Sequence, residues 1–186
     1  MSQGKVREQI IETADALYYG RGIQAVGMDE LRAASGVSLK RLYTLFSSKE
    51  EIVLAVLQYR HQMWTDGVTD AVNRGESLRA RLLAVYDYLA EWFATDSFRG
   101  CGFINAFGEL GAVSPAVAEV ARLHKQSFQG YLSRLVAEAG GSEELAAQLA
   151  ILAEGAQTTA AISGTAESAG QARRAAETLI QVSSAA

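Results

Sequence analysis

The chain predicts an all-α protein of about nine helices. An N-terminal three-helix domain with a helix-turn-helix, residues 1–48, is joined by a long helix to a helical body, residues 49–186. Three observations predict this. Apolar residues recur at helical spacing along most of the length, and no strand-like alternation persists. There is one proline, Pro115, and much alanine, a composition that favours helix. Glycine and serine interrupt the pattern at helix-length intervals.

The first helix spans about residues 5–19 on Ile10, Ala14, Leu17 and Tyr18, and Gly20 and Gly22 mark its end. The second starts after Gly27, with Asp29 and Glu30 in its first turn, where carboxylates suit the helix dipole. The third covers about residues 39–46. The fourth opens at Ser48, with Glu51 completing a capping box, and continues past Trp64 toward Val72. Five more follow. One spans about residues 77–95 and is broken by Arg99–Gly100–Cys101–Gly102; a shorter one spans about 103–110. Ser114 and Pro115 form an N-cap and first-turn signal for the next, to about Ala139. Gly140–Gly141 separate it from a Ser142-led helix reaching about Ser163, and Gly164 precedes the last, about residues 168–182.

The stretch from Met28 to Phe46 has the form of two short helices hinged at Gly36, a unit that seats its second helix in the DNA major groove. Leu31, Val37, Leu42 and Leu45 fall where the two helices pack, and Gly36 supplies the freedom a tight turn needs. From Leu31 to Lys49 there is no acid but four bases: Arg32, Lys40, Arg41 and Lys49. On a helical wheel, Leu39, Leu42, Leu45 and Phe46 share one arc with Ser38 beside them. Lys40, Thr44 and Ser47 fall opposite, flanked by Arg41 and Tyr43. Arg or Lys can donate to guanine, while Thr and Tyr can bond phosphate or pack on a thymine methyl. Lys49 begins a helix, where backbone N–H groups already favour an anion, so a phosphate oxygen is its expected partner. The competing reading is that Lys40, Arg41 and Lys49 merely solvate an exposed face and that Tyr43 is a half-buried core aromatic.

Val37–Ser38, then Leu42–Tyr43, Phe46 and Ser48–Lys49–Glu50 resemble the signature of the tetracycline-repressor family of one-component regulators, over about residues 8–57. Three positions depart from the family's pattern. Gly27 stands where a capping Ser or Thr is usual, Arg32 where a small Ala is usual, and Lys40–Arg41 where smaller residues are common. The resemblance implies a ligand-responsive transcriptional regulator, most often a repressor. It would bind a palindromic operator in double-stranded DNA as a homodimer, released by an apolar small molecule. Ser38, Lys40, Arg41, Tyr43, Thr44 and Lys49 are the DNA contacts this predicts. No cofactor is implied.

In the family the middle helices enclose an apolar ligand cavity. Here they concentrate Trp64, Tyr86, Leu89, Trp92, Phe93, Phe103, Phe107, His124, Phe128 and Tyr131, which read as pocket walls or as ordinary core. The last two helices are rich in small residues, among them Ala156, Ala160 and Ala176, with a seam of Leu145, Leu149, Leu152 and Leu179. That pattern reads as a two-fold dimer interface, matching the family's usual dimer, or as packing within the chain. His61 and His124 lack ligand spacing, so no metal is expected, and Cys101 is the single cysteine. Cys101 reads as a small buried residue or as a sensor thiol, with Arg99 the nearby base.

Acids outnumber bases 21 to 17. The asymmetry matters more: residues 1–60 carry net +1 and the remainder net −5, so a basic surface is local to the first segment. The start Met1–Ser2–Gln3–Gly4–Lys5 has no apolar core and no apolar run approaches a membrane span, which predicts a cytoplasmic protein without a membrane partner. No nucleophile–base set, paired-acid motif or phosphate loop supports the alternative of an all-helical enzyme. A ligandless DNA-binding or architectural protein is the other competing reading.

Overall fold

The computed structural model describes residues 2–183; residue 1 and residues 184–186, the outer ends of the two expected domains, lie outside it. Among the described residues there are nine helices and no strand: α1 (Gln3–Arg21), α2 (Met28–Ser35), α3 (Leu39–Leu45), α4 (Lys49–Asn73), α5 (Leu78–Phe93), α6 (Gly102–Leu110), α7 (Pro115–Glu138), α8 (Glu143–Ser163) and α9 (Glu167–Ser183). The all-α expectation is met, and helix ends fall within about two residues of the sequence reading. Serine and glycine carry the termini. Ser38, Ser77 and Ser142 each accept a bond from the backbone N–H three residues on, and Gly36 and Gly164 end their helices in the left-handed conformation.

Compactness divides the chain into two units, Met1–Gln62 with Gly102–Arg122, and Met63–Cys101 with Leu123–Ala186. The sequence expectation placed the division at residue 48. In the structure α4 contributes to both units, and α6 with the start of α7 belongs to the first.

In the first unit, Ile10, Ala14, Val26, Leu31, Leu42, Phe46 and Ile52 are enclosed and hold α1 to α4 together. Arg60 on α4 grips Asp15 on α1, one of its bonds measuring 3.0 Å, and both side chains are largely enclosed. Burial pushes the Asp15 carboxyl up, and the Arg60 guanidinium opposes that rise. Ser114 donates its hydroxyl to Glu50 and accepts from the Val117 N–H at 3.2 Å, so it caps α7 and ties that helix to α4.

In the second unit, Leu82, Val85, Tyr86 and Leu89 of α5 meet Phe128 and Leu132 of α7, Leu149 of α8 and Ala176 of α9 in one core. The Tyr86 hydroxyl donates to the Leu149 carbonyl at 2.8 Å, satisfying a buried polar group. Alanines at 153, 156 and 160 of α8 and at 169, 172 and 176 of α9 are all buried, and Ser168 donates to the Ala156 carbonyl at 2.9 Å. This corrects the expected dimer seam. Leu145, Leu149, Ala156, Ala160 and Ala176 are enclosed within the single chain, so they are not surface available to a second copy. Leu152 and Leu179 are partly buried against the same core. The small residues let α8 and α9 approach each other.

Candidate nucleic-acid interface

The turn between α2 and α3 is made by Gly36, with φ at 66°, a conformation that a residue with a Cβ resists. Leu31 and Leu42 are fully enclosed on either side of it, Phe46 is nearly so, and Val37 is half-buried. Gln9 on α1 braces the turn from behind, donating to the Ser35 carbonyl at 2.8 Å. Because one arc of α3 is committed to this core, the opposite arc stands in solvent. Lys40, Tyr43 and Thr44 are exposed and Arg41 is half-buried. Among the described residues, neither Lys40 nor Arg41 makes an ion pair, whereas Arg21, Arg32 and Arg60 are each paired with an acid. The charge of the reading arc is therefore not neutralised by the protein itself.

Individual contacts refine the expected set. Ser38 is the N-cap of α3, its hydroxyl oxygen accepting from the Arg41 N–H at 3.2 Å, so its first role is to start the helix. Thr44 donates to the Lys40 carbonyl at 2.7 Å, which directs its hydroxyl back along the helix. Leu39 was expected in the buried arc but is 38% exposed, because it lies in the first turn, ahead of the helix–helix contact. It adds an apolar surface of the kind that packs on a thymine methyl.

Lys49 differs most from expectation. Its ammonium is drawn inward, donating to the Ile23 carbonyl at 2.6 Å and lying 5.8 Å from the Tyr18 ring centre. Burial pushes its pKa down, and the nearby Glu109 carboxylate opposes that shift. The start of α4 is likewise occupied by its own acid. Glu51 accepts from the Ser47 N–H at 2.6 Å and from the Ser47 hydroxyl at 2.9 Å. Ser48 accepts from the Glu51 N–H at 3.1 Å, so the capping box is displaced by one residue on its return side. The Glu51 carboxylate thus sits on Ser47, just ahead of the first turn of α4.

Sequence reasoning missed Glu109. From α6 it accepts the Ile23 and Gln24 backbone N–H groups at 3.0 and 2.8 Å, and Gln24 donates back to its carbonyl at 2.7 Å. It clamps the segment that leads into α2. No local signal could have found it, since more than eighty residues separate the partners.

The family model for bacterial regulatory proteins of the tetR family matches residues 10–56, which hold the helix-turn-helix. A second model, the tetracyclin repressor-like C-terminal domain, matches residues 79–176, over half of the chain. The chain belongs to the tetR family. It is similar to the HTH-type transcriptional activator FasR of Mycolicibacterium smegmatis, 31% identical over 137 residues covering 74% of this chain and 61% of FasR. It is also similar to the HTH-type transcriptional repressor NemR of Escherichia coli, 27% identical over 106 residues covering 56% of this chain and 53% of NemR. The chain thus spans less than two thirds of either relative. Among solved structures, a TetR-family transcriptional regulator from Streptomyces coelicolor superposes with a TM-score of 0.90 at 25% identity, over 97% of both chains. The resemblance read from Val37 to Glu50 is therefore correct. Both relatives and this structural neighbour are named as transcriptional regulators.

In the TetR-family body, the expected ligand residues divide between the compact units. Trp64, Tyr86, Leu89, Trp92, Phe93, His124, Phe128 and Tyr131 lie in the second; Phe103 and Phe107 lie in the first. Trp64 meets His124 and Phe128 edge-on, with ring centres 5.4 and 4.9 Å apart. Trp92 and Phe93 gather on Phe98, which the sequence reading omitted. Tyr86 and Leu89 are fully enclosed core, Tyr131 is half-buried, and Phe107 is 55% exposed. Cys101 is buried, and Lys125 reaches its sulfur at 3.3 Å while also pairing with Glu154. Among the described residues no group of three or more potential ligands can hold a metal ion, and no helix is long and apolar enough to cross a membrane.

Proposed function

We propose that the chain is a homodimeric repressor that reads a palindromic duplex through α3 and leaves it when an apolar small molecule occupies the body. The observation that carries the DNA reading is the exposed arc of Lys40, Tyr43 and Thr44 beside Arg41, whose cations have no acid partner among the described residues. Two copies are supported by apolar surface on the last two helices. Ile151 and Ile162 on α8 are 70% and 83% exposed, and Val182 on α9 is 65% exposed. Eleven residues apart, Ile151 and Ile162 fall on one face of α8, and an apolar stripe on a helix face is the kind of surface a partner covers. The effector reading is supported by the edge-to-face group of Trp64, His124 and Phe128, aromatic walls of the kind that line small-molecule pockets.

Selection of bound duplexes from a random pool, followed by anisotropy titration, tests this. The expected result is a palindromic consensus bound by two protomers. A non-palindromic site bound by one protomer overturns the dimeric reading. A reporter placed behind the selected site gives the sign of regulation: transcription that falls on expression of the protein supports repression, and transcription that rises assigns activation.

A further inference from the structure

The first compact unit holds a cavity that DNA reading does not use. It is a recess of about 30 Å³ between Tyr18 and Tyr19 of α1, Leu57 and Arg60 of α4, and Asn105 and Glu109 of α6. A wider groove of about 400 Å³ shares four of these residues, Tyr18, Tyr19, Asn105 and Glu109, and adds Ile104 and Gly108 of α6. We propose that recess and groove together form a small-molecule site for a compact, neutral aromatic compound bearing one hydrogen-bond acceptor. The site is distinct from the aromatic group of the second unit.

Size, polarity and charge each support this. A groove of this volume lies within the range that holds small ligands, and the recess beneath it has room for about one polar group. Tyr18 is only 5% exposed, and among the described residues its hydroxyl has no hydrogen-bond partner. No buried side-chain nitrogen or oxygen lacks a partner among those residues, so this hydroxyl is one that the recess leaves reachable. Burial pushes its pKa up to about 12, so at neutral pH it is a proton donor seeking an acceptor. The charged walls are already matched. Arg60 is paired with Asp15 and lies 3.5 Å from the Tyr19 ring centre, and the Glu109 carboxylate holds two backbone N–H groups. An ionic ligand finds no unmatched charge there, whereas aromatic rings and Ile104 offer a flat neutral molecule contact area. Gly108 borders the open groove, since a Cβ there would meet nothing within 4 Å, so a larger side chain at this position projects into free space.

Full-length protein carrying fluorotyrosine tests the proposal without DNA, so its failure is distinguishable from failure of the operator reading. Acetophenone and benzamide are titrated as neutral probes, with benzoate and benzylamine as charged controls, and fluorine NMR follows the resonance missing from Tyr18→Phe. Both neutral probes are expected to shift that resonance saturably. Followed instead on the Tyr19 resonance, which lines the same recess, Tyr18→Phe should weaken them roughly three- to tenfold, the worth of one hydrogen bond. Gly108→Leu, which fills the groove, should abolish binding, and Ile104→Trp serves the same purpose if Gly108→Leu fails to fold. A Tyr18 resonance unmoved by either neutral probe at its solubility limit overturns the site. Undiminished binding in the folded groove-filling variant does the same. Equal or tighter binding of a charged control overturns the ligand class.

Discussion

The Lys49 ammonium donates to the Ile23 carbonyl at 2.6 Å, which fastens the first residue of α4 to the segment between α1 and α2. A cation expected at a phosphate is here bonded to the protein's own backbone. Lys49→Met should therefore lower unfolding stability by roughly 1.5–3 kcal/mol, the range for hydrogen bonds made by charged groups. Chemical denaturation measures it. A slope of DNA affinity against salt that stays unchanged in the variant shows that Lys49 keeps this inward bond on DNA, and a slope shallower by about one unit shows a phosphate contact.

Lys40 and Arg41 should behave in the opposite way. Replacing either with Ala leaves the core formed by Leu42 and Phe46 intact, so stability should hold. Operator affinity should fall by roughly 1–3 kcal/mol for a lost base contact, or the salt slope should become shallower by about one unit for a lost phosphate contact. Anisotropy titrations at several salt concentrations separate the two outcomes.

Glu51 makes the start of α4 sensitive to acid. The Ser47 N–H and then the Ser47 hydroxyl hold its carboxyl below the usual carboxylate range. A lowered carboxylate pKa gives stability that is fully present above the usual range and is lost as pH falls through the lowered folded value. Glu51→Gln should therefore flatten the acid limb of the stability profile. Wild type and variant should converge at the lowest pH, as measured by thermal unfolding across a pH series.

Ile151 and Ile162 are the α8 side chains with most to hide. The double change of Ile151→Glu and Ile162→Glu should yield a folded monomer by light scattering with unchanged circular dichroism. Leu149→Ala, by contrast, should cost about 2–5 kcal/mol of unfolding free energy, because that side chain is fully enclosed within one chain.

Much of this molecule was readable from local chemistry. Gly36 marked the turn, Ser38 and Ser142 marked helix starts, and Leu31 with Leu42 marked the helix-turn-helix core. Each is a short-range requirement: a positive φ, an unpaired N–H, or an apolar arc repeating every turn. The family resemblance lay in the same contiguous segment. Helical periodicity says which face of a helix is apolar, but not what covers that face. The alanines of α8 were therefore legible as a close-packing surface, and only the folded chain decided that α9 lies against them. The same limit applies to polar groups. Sequence alone placed Lys49 at a helix start beside an expected anion. The tertiary fold brought up the Ile23 carbonyl and the Glu109 carboxylate, and a side chain with several rotatable bonds takes the partner that the surrounding packing brings within reach.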